Sequence, residues 1–152
     1  MRGVNGTGAI VLAAALLATA AFAWWFRTRN GAIRASADTG DDVPNPLTPV
    51  FARLGVRPED AELTVVQFST AFCAPCRTTR ARLQQLQTTR PGLAYVHVDA
   101  ESHLDEVREL DVRRTPTLFY LRRDGSVLAR SSGAPQAAEL TALVDAHVGA
   151  NR

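Results

Sequence analysis

Val65-Val66-Gln67-Phe68-Ser69-Thr70-Ala71-Phe72-Cys73-Ala74-Pro75-Cys76 decides how this chain is read. Val65 to Phe68 is short, β-branched and aromatic, which predicts a buried strand. It ends in small polar residues and runs into the only two cysteines of the 152-residue sequence. Pro75 suits the first turn of a helix, where its missing N–H costs no hydrogen bond. Arg77 to Gln87 is rich in straight-chain helix formers and carries Leu83 and Leu86 on one face. Pro91 and Gly92 end it. This order puts Cys73 at the N-terminus of a helix and Cys76 one turn inside. Free backbone N–H groups and the positive end of the helix dipole favour a thiolate there. Cys73 is therefore expected to be the acidic, attacking sulfur, with Cys76 placed to resolve the mixed disulfide that follows. Two cysteines at this spacing suit redox or metal chemistry, not a disulfide framework. A metal site wants two more ligands, and the sequence has neither a third cysteine nor a close His-x-x-His.

Further on, Arg113-Arg114-Thr115-Pro116-Thr117-Leu118-Phe119-Tyr120 sets a proline at the mouth of an apolar strand. Asp124-Gly125 then marks a hairpin, and Ser132-Gly133 precedes a last helix. Cys-x-Pro-Cys on a strand-to-helix turn, with Thr-Pro-Thr before a later strand, resembles the thioredoxin family from about Glu62 to Gly149. The resemblance implies a thioredoxin-like α/β fold, a central mixed sheet flanked by helices. It implies a thiol–disulfide oxidoreductase, a protein-disulfide reductase with a redox-active Cys73–Cys76 disulfide and no further cofactor. Pro116 would be cis and face the cysteines, and Thr115 and Phe72 would meet the substrate chain. The partners implied are disulfide-containing proteins and a thiol–disulfide electron donor, acting on a monomer. The same chemistry run the other way would make it an oxidase or isomerase of exported proteins. A module of another class, delivering or binding metal through Cys73 and Cys76, is the further alternative.

Departures from the family pattern fall close to the cysteines. Phe72 stands where Trp is usual, Ala74 where Gly is usual, and Pro75 is retained. The family's buried Asp is Gln67 here, and its Lys partner is Tyr95. Gln67 cannot accept a proton as a carboxylate does, so proton removal from Cys76 would rely on water or another group. That suits a dedicated member with particular partners. Arg77 and Arg114, if near the sulfurs, would favour the thiolate. Arg114 would also bias the docking surface toward acidic or polar partners.

Residues 1–8 read as a tail, and 9–26 (AIVLAAALLATAAFAWWF) as an uncharged membrane anchor near the lower length for a spanning helix. Trp24, Trp25 and Phe26, followed by Arg27, Arg29 and Arg34, resemble an interfacial flank. The competing reading is a cleaved signal peptide, with Ala21-Phe22-Ala23 as its small-x-small site. Three arginines after the span against Arg2 before it favour a cytoplasmic domain. Membrane-tethered members of the family favour the outer side, and both sides stay open. Residues 27–47 read as a linker, acidic and proline-bearing, and 48–152 as the thioredoxin-like domain. All 17 basic residues are Arg, and the net charge of +2 is too small and dispersed for nucleic acid.

Inside that domain the pattern predicts a short helix over Thr48 to Leu54, capped by Thr48. No regular first strand is evident. A strand is predicted over Leu93 to Asp99 and a helix over His103 to Leu110 capped by Ser102. A hairpin of Pro116 to Arg122 with Ser126 to Arg130 follows. A last helix from Pro135 carries Leu140, Leu143, Val144 and Val148 as its apolar stripe. Alternating strands and helices imply helices on both faces of one sheet.

Overall fold

Strand β2 (Leu63–Ser69) is buried along its whole length, because helices cover both faces of the sheet it centres. The computed structural model describes residues 6–36 and 46–149. Five strands pair in the order β1 (Ile33–Ala35), β5 (Val127–Ser132), β4 (Thr117–Arg122), β2 and β3 (Leu93–Asp99). β2 and β3 run parallel, and the other neighbours are antiparallel. The helices are α1 (Gly6–Arg29), α2 (Thr48–Arg53), α3 (Ala74–Thr89), α4 (Leu104–Glu109) and α5 (Ala137–His147). The mixed sheet flanked by helices that the pattern implies is what the chain forms.

Strand alternation sorts the core into two layers. Leu63 and Val65 of β2 pack with Leu118 and Tyr120 of β4 against Leu83 and Leu86 of α3 and Leu140 and Val144 of α5. Val66 and Phe68 face the other way, toward Val50 and Phe51 of α2 and Leu110 beyond α4. There Phe119 takes Phe51 and Phe68 edge-on, with centroids 5.3 and 5.9 Å apart. The Arg130 guanidinium lies 4.8 Å from the Phe119 ring centroid and donates to the carbonyls of Leu110 and Asp111, closing this face.

The chain divides into two compact units, residues 1–30 and 31–152. The first is α1, in which Gly8–Phe26 is 19 residues long with no side chain buried. At 1.5 Å per residue it spans about 28 Å, close to the ~30 Å hydrocarbon core of a bilayer. By length and composition it is able to cross a membrane.

Several boundaries differ from the pattern. Ile33–Ala35, inside the stretch read as linker, is a strand of the second unit paired with Ala129–Ser131 of β5. β5 itself runs two residues past Arg130, with Ser131 paired to Ile33 and Ser132 to Thr117. The acidic, proline-bearing part of the same stretch, 37–45, lies outside the described residues. Helix α2 starts one residue before a Thr48 cap would allow, since the Leu47 carbonyl already accepts from Val50 and Phe51. Ser102 does not cap α4. Its hydroxyl donates to Asp99 Oδ2 at 2.5 Å, a charged acceptor that outcompetes a helix N–H for the side chain. Pro135 precedes α5 by two residues, because Gln136 is still extended. Gly125, at φ +82°, makes the Asp124-Gly125 turn between β4 and β5, with Asp124 Oδ1 accepting from the Ser126 N–H.

Candidate active site

The C-terminal end of β2 delivers the chain into the loop that starts α3. Cys73 is the N-cap residue of α3, in extended backbone, and its Sγ accepts the Cys76 N–H at 3.2 Å. Ala74 and Pro75 occupy the first two helical positions, so the missing Pro75 donor falls where no intrahelical partner exists. The two cysteines form a disulfide, with Cα atoms 5.2 Å apart. Both are nearly covered, Cys73 at 8% exposure and Cys76 at 3%. Phe72 is 97% exposed beside them, an apolar ring presented to solvent at the mouth of the site.

The proline loop comes to the same end of the sheet because β4 runs antiparallel to β2, with Thr117 opposite Phe68. The Thr115–Pro116 peptide bond is cis. Thr115 Oγ1 lies 3.3 Å from Thr70 Oγ1, joining this loop to the cysteine loop. The Pro116 carbonyl accepts from Gly133 N–H at 2.7 Å, and Thr117 Oγ1 donates to the Arg114 carbonyl at 2.8 Å. Arg77 and Arg114 are both exposed, Arg77 directly after Cys76 and Arg114 at the entrance to the proline loop.

Beneath the disulfide lies a neutral polar cluster. Gln67 is fully buried. Its Nε2 donates to the Cys76 carbonyl at 3.0 Å and to Ser69 Oγ at 2.9 Å. Its Oε1 accepts from the Tyr95 hydroxyl at 3.2 Å. A carbonyl can only accept, so the amide has one satisfactory orientation, with both N–H donors used. Burial holds the Tyr95 phenol above its ordinary pKa against the opposing charge of Arg80, which keeps the hydroxyl a donor. His97, two residues along β3, is an exposed residue whose pKa is pushed below its ordinary value by partial desolvation of the ring and then by Arg80, against the opposing charge of Asp99. The structure thus joins Cys73, Cys76 and Gln67 directly, brings the Thr115–Pro116 loop to the same end of the sheet through Thr70, and leaves Arg77 and Arg114 on the surface. Ser69, Thr70 and Arg80 carry parts of this arrangement that the sequence did not announce. Only Arg80 had a signal, one helical turn after Cys76 on the same face.

The geometry has relatives. The thioredoxin family profile matches residues 56–146. Thioredoxin H4-2 of Oryza sativa subsp. japonica is 29% identical over 69 residues, 45% of this chain and 52% of the relative. The chain thus spans about half the length of the first curated relatives it matches. Thioredoxin C-2 of Corynebacterium nephridii is 33% identical over 91 residues, covering 59% of this chain and 83% of that one. Among solved structures, thioredoxin f2 of Chlamydomonas reinhardtii superposes with a TM-score of 0.55 at 25% identity, over 66% of this chain and 91% of that one. A profile match over more than half of the sequence, on a sheet that sets a cysteine pair at a helix N-terminus and a cis proline at the same end, makes this chain a member of the thioredoxin family.

Proposed function

We propose that the protein is a thiol–disulfide oxidoreductase that reduces disulfides of partner proteins while held to a membrane by residues 9–26. The observation that carries this reading is Cys73 at the N-cap of α3, its sulfur receiving the Cys76 N–H. A negative sulfur there is favoured by that donor and by the helix dipole.

In the reduced protein the Cys73 thiolate attacks one sulfur of a partner disulfide. That bond breaks, a mixed disulfide forms, and the departing partner thiolate takes a proton. Cys76 then loses its proton and attacks Cys73 Sγ, closing the intramolecular disulfide and releasing the second partner thiol. Two electrons have passed to the partner, and a dithiol donor restores the pair. Thr115 and Pro116 steady the partner chain in this reading, and the exposed Phe72 ring supports an apolar contact with it. Gln67 has no proton to trade at neutral pH, so the Cys76 proton leaves to water. An uncharged helix of this length, closed by Trp24, Trp25, Phe26 and then arginines, supports an uncleaved anchor over a signal peptide.

Two variants test the roles. Cys73→Ser is expected to abolish reduction of insulin disulfides, and Cys76→Ser to accumulate stable mixed disulfides with the same substrate. A reduced protein in which iodoacetamide labels Cys76 before Cys73 at neutral pH overturns the assignment.

A further inference from the structure

The chain reaches the redox end of the sheet as soon as it leaves the apolar helix. Helix α1 ends at Arg29. Gly31 already donates its N–H to the Ser132 carbonyl at 3.0 Å, and Ile33 opens β1. The entry point is fixed in place. Gly31 has φ +80°, and a Cβ there would lie 2.0 Å from the Ala134 carbonyl oxygen. Two residues on, the Ile33 N–H is held by Glu139 Oε1 at 2.8 Å.

The strand register says which end this is. Ile33 lies opposite Ser131, Ser132 opposite Thr117, and Thr117 opposite Phe68, whose strand leads into Cys73. Gly133, beside the entry point, holds the Pro116 carbonyl. From β1 to β2 is three strand spacings, about 15 Å. Phe26 to Gly31 adds at most about 12 Å of chain, part helical and part extended. Whatever angle the two units take, the cysteine pair is confined to within about 30 Å of the end of the apolar span. No stretch between them acts as a reach-extending tether. The segment 36–47 follows β1 in the chain and so does not separate the helix from the sheet.

We propose that the substrates are disulfides held close to the bilayer surface, in the juxtamembrane segments of other membrane-embedded proteins. The proposal rests on the redox and anchor readings above. It adds a distance rule to them: a disulfide carried far from the bilayer is out of reach, because the redox end is the end bound to the anchor.

The test uses the full chain in phosphatidylcholine vesicles, pre-reduced with a small dithiol that is then removed. The probe is a peptide with one internal disulfide, joined to a lipid headgroup through either a short spacer or a stiff spacer of about 50 Å, roughly 16 proline residues. The native chain is expected to reduce the short-spacer probe at least about tenfold faster. Inserting about 20 Gly/Ser residues between Arg29 and Asn30, an added reach of roughly 25 Å, is expected to bring that ratio down several-fold. Using the ratio cancels differences in how many chains face outward. A ratio near one for the native chain, or an insert that leaves it unchanged, overturns the proposal. Two controls separate the underlying readings. Failure of the detergent-solubilised chain to reduce the free peptide overturns the redox reading, and release of the chain from vesicles by alkaline carbonate overturns the anchor. Either failure overturns the proposal with it.

Discussion

Gln67 occupies a position where shape, donors and charge pull apart. It is fully buried under the disulfide and spends both N–H groups on Ser69 and the Cys76 carbonyl. A glutamate side chain would keep the shape and replace the donor with a second oxygen. Facing the Cys76 carbonyl, that oxygen is tolerated only as a protonated acid, so the folded-state pKa of the introduced carboxyl is expected above the ~4.3 of an unfolded chain. The sign follows. Gln67→Glu keeps near wild-type stability below about pH 4 and loses it as pH rises through the folded value. The deficit at neutral pH is about 3 kcal/mol. Urea unfolding at several pH values checks this, and a deficit equal at all of them rules it out. Once ionised, the new carboxylate is also a base beside Cys76, and rapid mixing is expected to show resolution of the mixed disulfide quicker by about tenfold. Cys73 and Cys76 were legible because their chemistry is local, a spacing and a helix start; the cis bond at Pro116 was legible only through the resemblance to the thioredoxin family, since a proline before a strand does not fix its isomer. The Gln67 arrangement was legible only as a missing carboxylate. What replaces it depends on Tyr95 coming alongside from β3, a pairing that no local pattern encodes.

Helix α3 was readable from sequence because every local signal agrees on it: an apolar strand before, Pro75 in its first turn, straight-chain residues through it and Pro91 after. β1 gave no such signal. Ile33-Arg34-Ala35 has too few residues to show alternation, and it is a strand only because Gly31, Glu139 and the β5 edge receive it. Ser102 misled for the opposite reason, being a good N-cap residue captured by the nearby Asp99 carboxylate. Two substitutions test how β1 is held. Glu139→Ala removes the charged acceptor of the Ile33 N–H at a cost of about 1–2 kcal/mol. Hydrogen exchange at Ile33 and Ala35 is expected to quicken while Phe119, in the sheet centre, keeps its protection. Gly31→Ala forces a Cβ into the Ala134 carbonyl at a left-handed φ, and is expected to cost about 2–3 kcal/mol. An unchanged unfolding midpoint for Gly31→Ala would mean that the entry to β1 is free to shift.

Across the whole second unit, the titrating groups mark out a range of pH in which the fold is most stable. Asp99 and Asp124 are held below the usual carboxylate range chiefly by the hydroxyls of Ser102 and Ser126. Asp145 is held down by Arg90, and Glu106 by its own backbone N–H. Groups depressed in the fold add stability above their unfolded values, roughly 4, and lose it as pH falls through the folded ones. His97 follows the same rule higher up, since partial desolvation of its ring and Arg80 depress it. Its contribution is complete above about 6.5 and fades as pH falls below that. Tyr95 and Tyr120 are raised by burial, so theirs is present below about 10 and fades as pH rises through the folded values. The expected profile is a plateau from about pH 7 to 10, a first shoulder on acidification from His97 and a steeper fall where the carboxylates protonate. His97→Gln separates these limbs. It carries no titrating group, so the shoulder between about pH 7 and 5 should flatten while the carboxylate limb stays in place. Thermal unfolding of the full chain in detergent, followed across pH for both proteins, reads the two limbs directly. A shoulder that persists in His97→Gln would move its origin away from the Arg80 side of β3 and onto another group.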